Sequence, residues 1–119
     1  MAAEINKQLE NRILNFSVEI IKLCKQAKTS IPFSVADQII RSSFSIGANY
    51  VEANDAVSRA DFKNKIGIAK KEAAETRYWL KLMAQLGINV PENLFNENNE
   101  LILILQKIIN TLKNGKVEK

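Results

Sequence analysis

The chain has 119 residues, 46% of them hydrophobic and 25% charged, which suits one globular domain and argues against a disordered tail. Its 17 lysines and arginines outnumber 13 acidic residues, and the net charge of +4 mildly favours an acidic partner such as a nucleic acid. Histidine is absent, which removes the usual general base and the commonest metal ligand, so we predict a non-enzymatic protein with no cofactor and no metal.

Cysteine usage and hydropathy favour a cytoplasmic protein. Cys24 is the single cysteine, so no intrachain disulfide can form, and we interpret it as a buried side chain of the first helix. The first ten residues contain no apolar signal-peptide core, and the longest apolar run, residues 101–105, is much shorter than a membrane span. We therefore expect no membrane partner.

The first predicted helix covers about residues 4–27. Its apolar residues recur at steps of three and four, the period of one helical face: Ile5, Leu9, Ile13, Phe16, Ile20, Leu23 and Ala27. Pro32 follows and cannot continue a helix. Ser34 is then the predicted N-cap of the second helix, which covers about residues 34–54.

The third predicted helix covers about residues 59–86. Ser58 and Asp61 form a capping-box-like start, and Gly87 is a natural left-handed terminator.

The fourth predicted helix covers about residues 91–113, with Pro91 as its first residue and Gly115 closing it. Four helices joined by short connections predict an all-α protein, an up-down-up-down antiparallel four-helix bundle, with a single domain over residues 1–119.

Five basic side chains of helix 3 fall within about 40° of one another on a helical wheel. This basic stripe consists of Arg59, Lys63, Lys70, Arg77 and Lys81. We predict that it binds the phosphates of a nucleic acid, with strong salt dependence and little base readout. The alternative is an ordinary solvated helix face.

Two carboxylates, Glu72 and Glu75, lie in the otherwise apolar sector of helix 3, where an ionised group needs a partner. In a hairpin of helices 2 and 3, facing residue numbers would total roughly 113, which places Arg41 opposite Glu72. We predict an arginine–carboxylate pair that fixes the register of the two helices. A catalytic or metal-binding carboxylate pair is the less favoured alternative.

Helix 2 is free of lysine, although the chain has thirteen. One side of it carries small or hydrogen-bonding residues, namely Arg41, Ser45, Ala48, Asn49 and Glu52. We predict that this polar line packs against another helix, from the same or a second subunit; a weakly charged solvent face is the alternative. Gly47 keeps the helix slim, and the same facing rule places it near Ile66 and Gly67.

Residues 101–105 of helix 4 are apolar on every side. One bundle core needs only about 100° or slightly more of a helix surface, so this stretch favours burial on a second face. We predict a homo-oligomer.

Two blocks of helices 2 and 3 match a known family pattern. The first reads QIIRSSFSIGANYVEAN and matches at Gln38, Arg41, Ser45, Ile46, Asn49 and Glu52. The second reads ADFKNKIGIAKKEAAETRYWLKLM and matches at Phe62, Ala69, Glu72 and Glu75. Through these residues the chain resembles the four-helix-bundle proteins encoded in intervening sequences of bacterial 23S rRNA genes. Helix 1 is similar at Asn11, Arg12 and Phe16, whereas Ala53 stands where many members have glycine.

The resemblance implies a homopentameric four-helix bundle with no known enzymatic activity. The fold is also similar to the accessory variability determinant of diversity-generating retroelements, a basic pentamer that binds nucleic acid and a reverse transcriptase. Candidate partners are therefore further copies of the chain, RNA or DNA, and a reverse transcriptase. We predict association with structured RNA; the alternative is a protein-interaction scaffold, to which Tyr78 and Trp79 could contribute.

Overall fold

Four antiparallel α-helices account for most of the computed structural model, which describes residues 2–113, with side chains from Asn6 onward. They are α1 (Ala2–Gln26), α2 (Phe33–Asn54), α3 (Arg59–Gln85) and α4 (Glu92–Lys113). The predicted all-α bundle is confirmed, and every boundary agrees within two residues, the usual uncertainty of helix ends. Two details, the side chain of Ile5 and the closure of helix 4 by Gly115, lie outside the described residues.

The helices pack in chain order around one core. The contact between α2 and α3 is the most extensive, and α1 meets α4 least. Buried side chains come from all four helices, as shown by Ile20, Ile46, Leu80 and Leu105, each 0% exposed. Cys24 is a free, buried cysteine, as predicted, and burial raises the pKa of its thiol.

The two ends of α3 follow the predicted local chemistry. Ser58 Oγ accepts a hydrogen bond from the Asp61 backbone N–H at 3.0 Å, which satisfies one of the free donors of the first turn. Gly87 has φ of 91° and ends the helix, as predicted. Its N–H donates to Ala84 O while Ile88 N–H donates to Met83 O, the paired bonds of a Schellman motif.

The predicted starts of α2 and α4 need correction. Ser34 is not the N-cap of α2: Pro32 holds that position without a side-chain bond, and its carbonyl accepts from Val35 N at 3.0 Å. Pro91 likewise precedes α4 instead of opening it, and accepts from Leu94 N at 3.0 Å. In both cases the proline carbonyl accepts the first helical bond, which needs no polar side chain.

The register of α2 against α3 also differs from the prediction. Ser42 meets Thr76, with oxygens 2.8 Å apart, and Glu52 pairs with Lys65 at 2.9 Å. Facing residue numbers therefore total 118 and 117, not roughly 113. This register sets Arg59, the first residue of α3, level with a point four to five residues past Asn54, the last residue of α2. At 1.5 Å per residue, α3 therefore begins about 7 Å beyond the end of α2.

The pairing of Arg41 with Glu72 is therefore wrong. Arg41 is 74% exposed and donates from Nε to Asp37 Oδ2 at 3.0 Å, one turn earlier on its own helix. The shifted register places Arg41 level with position 77, more than a turn from Glu72.

The predicted approach of Gly47 to α3 is also wrong, because Gly47 faces α1. A Cβ at Gly47 would lie 3.2 Å from Ile13 Cγ2, so this glycine allows close contact with α1. A Cβ at Gly67 would have no neighbouring heavy atom within 4 Å, so the two glycines do not meet.

Candidate functional surfaces

The basic stripe lies along the seam between α3 and α4. Arg59 Nη2 donates to Leu112 O at 3.2 Å, and Arg77 Nη1 donates to Asn99 Oδ1 at 3.3 Å. Both acceptors belong to α4, so this flank of α3 faces α4. The three lysines of the stripe lie on the same flank at about 100° per residue.

The two arginines of the stripe form hydrogen bonds to α4, whereas its lysines form no side-chain hydrogen bond among residues 6–113. Lys63 and Lys81 are exposed and Lys70 is half-buried. Over residues 6–113, no side chain of the stripe lies within 4.0 Å of a carboxylate. The stripe can therefore meet an external anion without first losing an internal ion pair.

Amide side chains of α4 border the stripe, a feature that the sequence analysis missed. Asn99, Gln106 and Asn110 share the flank of α4 that faces α3, since their spacing of seven and four residues is helical. Gln106 Nε2 donates to Asn110 Oδ1 at 2.7 Å. The spacing was readable in the sequence, but the neighbouring helix was not. Together the lysines and amides form a surface of hydrogen-bond donors and neutral acceptors.

Part of the polar line of α2 faces α3, as the Glu52–Lys65 pair shows, whereas Ala48 lines the groove between α1 and α2. Asn49 Nδ2 donates to Ser45 O at 2.8 Å within the same helix, and Ser45 is half-buried. Glu52 raises the pKa of Lys65 by hydrogen bonding and charge attraction. Glu52 of this line thus pairs with α3 of the same chain, while Arg41 remains exposed.

Glu72 and Glu75 are half-buried beside this line. Trp79 Nε1 donates to Glu75 Oε1 at 3.2 Å. The exposed Tyr78 ring packs edge-on against Trp79, with 5.2 Å between the ring centroids. Burial, and then the neighbouring Glu75, raise the pKa of Glu72, while Lys71 opposes this rise. In the described chain no cationic group lies within 4.0 Å of either carboxylate.

A salt bridge that was not predicted from the sequence joins α1 to α4. Arg12 donates to Glu97 from Nη2 at 2.6 Å and from Nε at 3.0 Å, and reaches Glu100 at 3.4 Å. These carboxylates raise the pKa of Arg12. The bridge joins α1 and α4, the neighbouring helices with the least extensive contact, and lies beside a groove of about 520 Å³ between them.

Large apolar side chains are exposed along α1 and α2. Leu14 is 60%, Phe44 49% and Val51 43% exposed, and they line a groove of about 620 Å³ between the two helices. Gly47 and Ala48 line the same groove. Grouped apolar side chains on a surface are typical of interaction sites, so this groove is a candidate contact surface.

The apolar stretch of α4 is divided between core and surface. Leu101 and Leu105 are 0% exposed and Ile102 is 8% exposed, so all three belong to the core. Leu103 points outward at 67% exposure. The second apolar face predicted from residues 101–105 therefore reduces to one leucine.

Two further features are absent from the described part of the chain. Each helix of residues 2–113 is too short or too polar to span a bilayer. Among the side chains of residues 6–113, no three or more Cys, Asp or Glu groups lie close enough together to bind a metal ion.

Comparisons with known proteins identify relatives of the chain. The model of a family described as 23S rRNA-intervening sequence protein matches residues 6–111. A crystal structure of a protein of unknown function from the S23 ribosomal protein family of Bacteroides thetaiotaomicron is 41% identical, with a TM-score of 0.79. The match covers 85% of the present chain and 97% of the other. No curated protein matches.

Proposed function

Because the chain belongs to the 23S rRNA-intervening sequence protein family, we propose that it is a non-enzymatic, cytoplasmic homo-oligomer that binds structured RNA through the basic stripe of α3. The observation that carries this proposal is the position of the stripe, on a seam bordered by amides and free of ion pairs in the described chain. Binding to phosphates by such a surface depends strongly on salt.

The shape of the stripe favours a folded RNA over a single strand. It follows one helix for about 33 Å, from Arg59 to Lys81. Proteins that bind single strands stack bases on aromatic rings, whereas the five side chains of the stripe are all basic. Asn and Gln side chains can supply hydrogen bonds to sugar hydroxyls in the wide minor groove of an RNA duplex.

Assembly would strengthen this binding. Each copy carries one stripe, so an oligomer presents several stripes to one RNA and gains affinity through effective concentration. The exposed apolar groove between α1 and α2 supports self-association. We propose five copies, the number that the family resemblance implies, with DNA or a complex of RNA and a reverse transcriptase as further candidate partners.

The test measures binding of a folded RNA hairpin by fluorescence anisotropy at low and moderate salt. Replacing Lys70 and Lys81 with glutamate should weaken binding at least about tenfold and reduce the slope of log K against log salt by about 1.5. The matched control replaces Lys22 and Lys28, exposed lysines of the α1 region, with glutamate.

Two results would contradict RNA binding by the stripe. One is no detectable affinity of the unmodified protein at low salt. The other is an equal loss in the control, because the effect would then reflect net charge alone.

A second candidate function is a scaffold that docks another protein. The exposed Tyr78 ring, 61% exposed and packed edge-on against Trp79, favours it. Recovery of a protein partner after nuclease treatment, and its loss in Tyr78→Ala, would support this candidate.

A further inference from the structure

One side of the bundle presents large apolar residues with an acidic edge. Leu14, Phe44 and Val51 project around the α1–α2 groove, whose floor includes Gly47. Glu10 lines the same groove and is exposed, with no cation within 4.0 Å among residues 6–113. We call this the ridge face.

The outer side of α3 presents small residues and basic side chains instead. A shallow slot of about 520 Å³ is lined there by Ala60, Lys63, Asn64, Gly67, Ile68 and Lys71. A Cβ at Gly67 would have no neighbouring heavy atom within 4 Å, so packing inside the chain does not require a glycine there. Glycine in the middle of a helix is destabilising, which makes Gly67 unexplained by the single chain. We call this the slot face.

We propose that the ridge face of one copy packs against the slot face of a second copy. Large side chains of the ridge would fill the slot that the small residues leave open, and the Glu10 carboxylate would approach the Lys71 ammonium. The inference rests on the proposed homo-oligomer and names its contact.

The two faces lie on different parts of the bundle, so the contact is heterologous. Each copy then offers a ridge to one neighbour and a slot to the next, an arrangement that generates a closed ring where the rotation permits. Lys70, Arg77 and Lys81 lie on the α4 side of α3, away from the slot. Lys63 lines the slot and would be covered by the second copy, so these three side chains are the part of the basic stripe that stays available to RNA.

The first test is the mass of purified variants by light scattering. Gly67→Leu should reduce the oligomer to single chains, because the added side chain occupies the slot, while the fold is retained since its own chain leaves that space open. Leu14→Lys should do the same from the ridge side. Circular dichroism checks that both variants are helical.

The matched controls place the same residue types elsewhere. Ala84→Leu adds a leucine at another exposed position of α3, and Val57→Lys adds a lysine at a side chain that is 96% exposed. Both should keep the mass of the unmodified protein. If all four variants keep that mass, this contact is wrong while the oligomer stands; if the unmodified protein is itself a single chain, the proposed oligomer fails as well.

The second test locates the contact by cross-linking. Leu14→Cys and Gly67→Cys chains, each purified alone, are unfolded, mixed and refolded together, and are then treated with a short bis-maleimide. Cys24 is buried and remains in place. The mixture should give linked pairs that neither variant gives alone. Linkage within Leu14→Cys alone would indicate that two ridge faces meet, and an unlinked mixture that still assembles would overturn the proposed contact.

Discussion

The hydroxyl oxygens of Ser42 and Thr76 lie 2.8 Å apart between α2 and α3, and both residues are buried. Each hydroxyl also lies within hydrogen-bonding distance of a carbonyl oxygen of its own helix. Ser42 Oγ lies 3.2 Å from Ile39 O, and Thr76 Oγ1 lies 2.9 Å from Glu72 O. Two hydroxyl hydrogens cannot form three bonds, so the bond across the helices replaces one bond within a helix. Slippage of the register would leave both hydroxyls buried without a partner across the interface.

We expect the Ser42–Thr76 pair to show measurable coupling. Ser42→Ala and Thr76→Val should each lower the free energy of unfolding by about 1 kcal/mol. The double variant should lose less than the sum, by about 0.5–1 kcal/mol, because the second substitution removes a bond already broken. Urea denaturation of the four proteins measures this difference. Strictly additive losses would show that the two hydroxyls do not interact.

The helix starts give a second prediction. Ser58→Ala should lower the free energy of unfolding by about 1 kcal/mol, because it removes the acceptor of the Asp61 N–H. Ser34→Ala should have little effect, since the Pro32 carbonyl accepts the first bonds of α2. Thermal or urea unfolding compares the two. A larger loss of stability from Ser34→Ala would indicate that Ser34 caps α2, contrary to the structure.

These residues also show what the sequence could predict. Helical period and local signals such as Ser58 and Gly87 are properties of one segment, and they located all four helices. The stripe of α3 was equally accessible, because its members share a single helix. The partner of Arg41 could not be predicted from the sequence. It depends on how far beyond the end of α2 the connection places the start of α3.

The sites between helices were missed for the same reason. The Arg12–Glu97 bridge joins residues 85 positions apart, and no periodicity within either helix relates them. The position of amides such as Asn99 beside the stripe could not be predicted either, because it depends on how α4 packs against α3.

The bridge between α1 and α4 gives a third prediction. Arg12→Ala should lower the free energy of unfolding by about 0.5–1 kcal/mol, a modest value because the pair is partly solvated, and added salt should reduce the difference. Lys22→Ala is the control, since it removes an exposed pair with Glu19 on one helix and should change stability little. Urea unfolding at low and high salt measures both. An equal loss in the two variants would assign the effect to general surface charge.

The fourth prediction concerns pH and Glu72. Its pKa is raised in the folded protein, first by burial and then by Glu75, so between the unfolded and folded pKa values the native state binds more protons than the unfolded state. Stability from this group is therefore full at pH below the unfolded pKa, near 4.3, and falls as the pH rises through the folded pKa. Glu72→Gln, which cannot ionise, should escape this loss.

Melting temperatures measured between pH 3.5 and pH 7 provide the check on Glu72. Glu72→Gln should melt above the unmodified protein at neutral pH, and the difference should shrink towards zero as the pH falls to about 3.5, below the unfolded pKa of the glutamate. Asp55→Asn, at an exposed residue, makes the same change in net charge and serves as the control. A gain in Glu72→Gln that persists at the acidic end would point to packing or helix propensity instead of ionisation. A loss at neutral pH would mean that the charged form of Glu72 stabilises the fold, opposite to the direction expected from its burial.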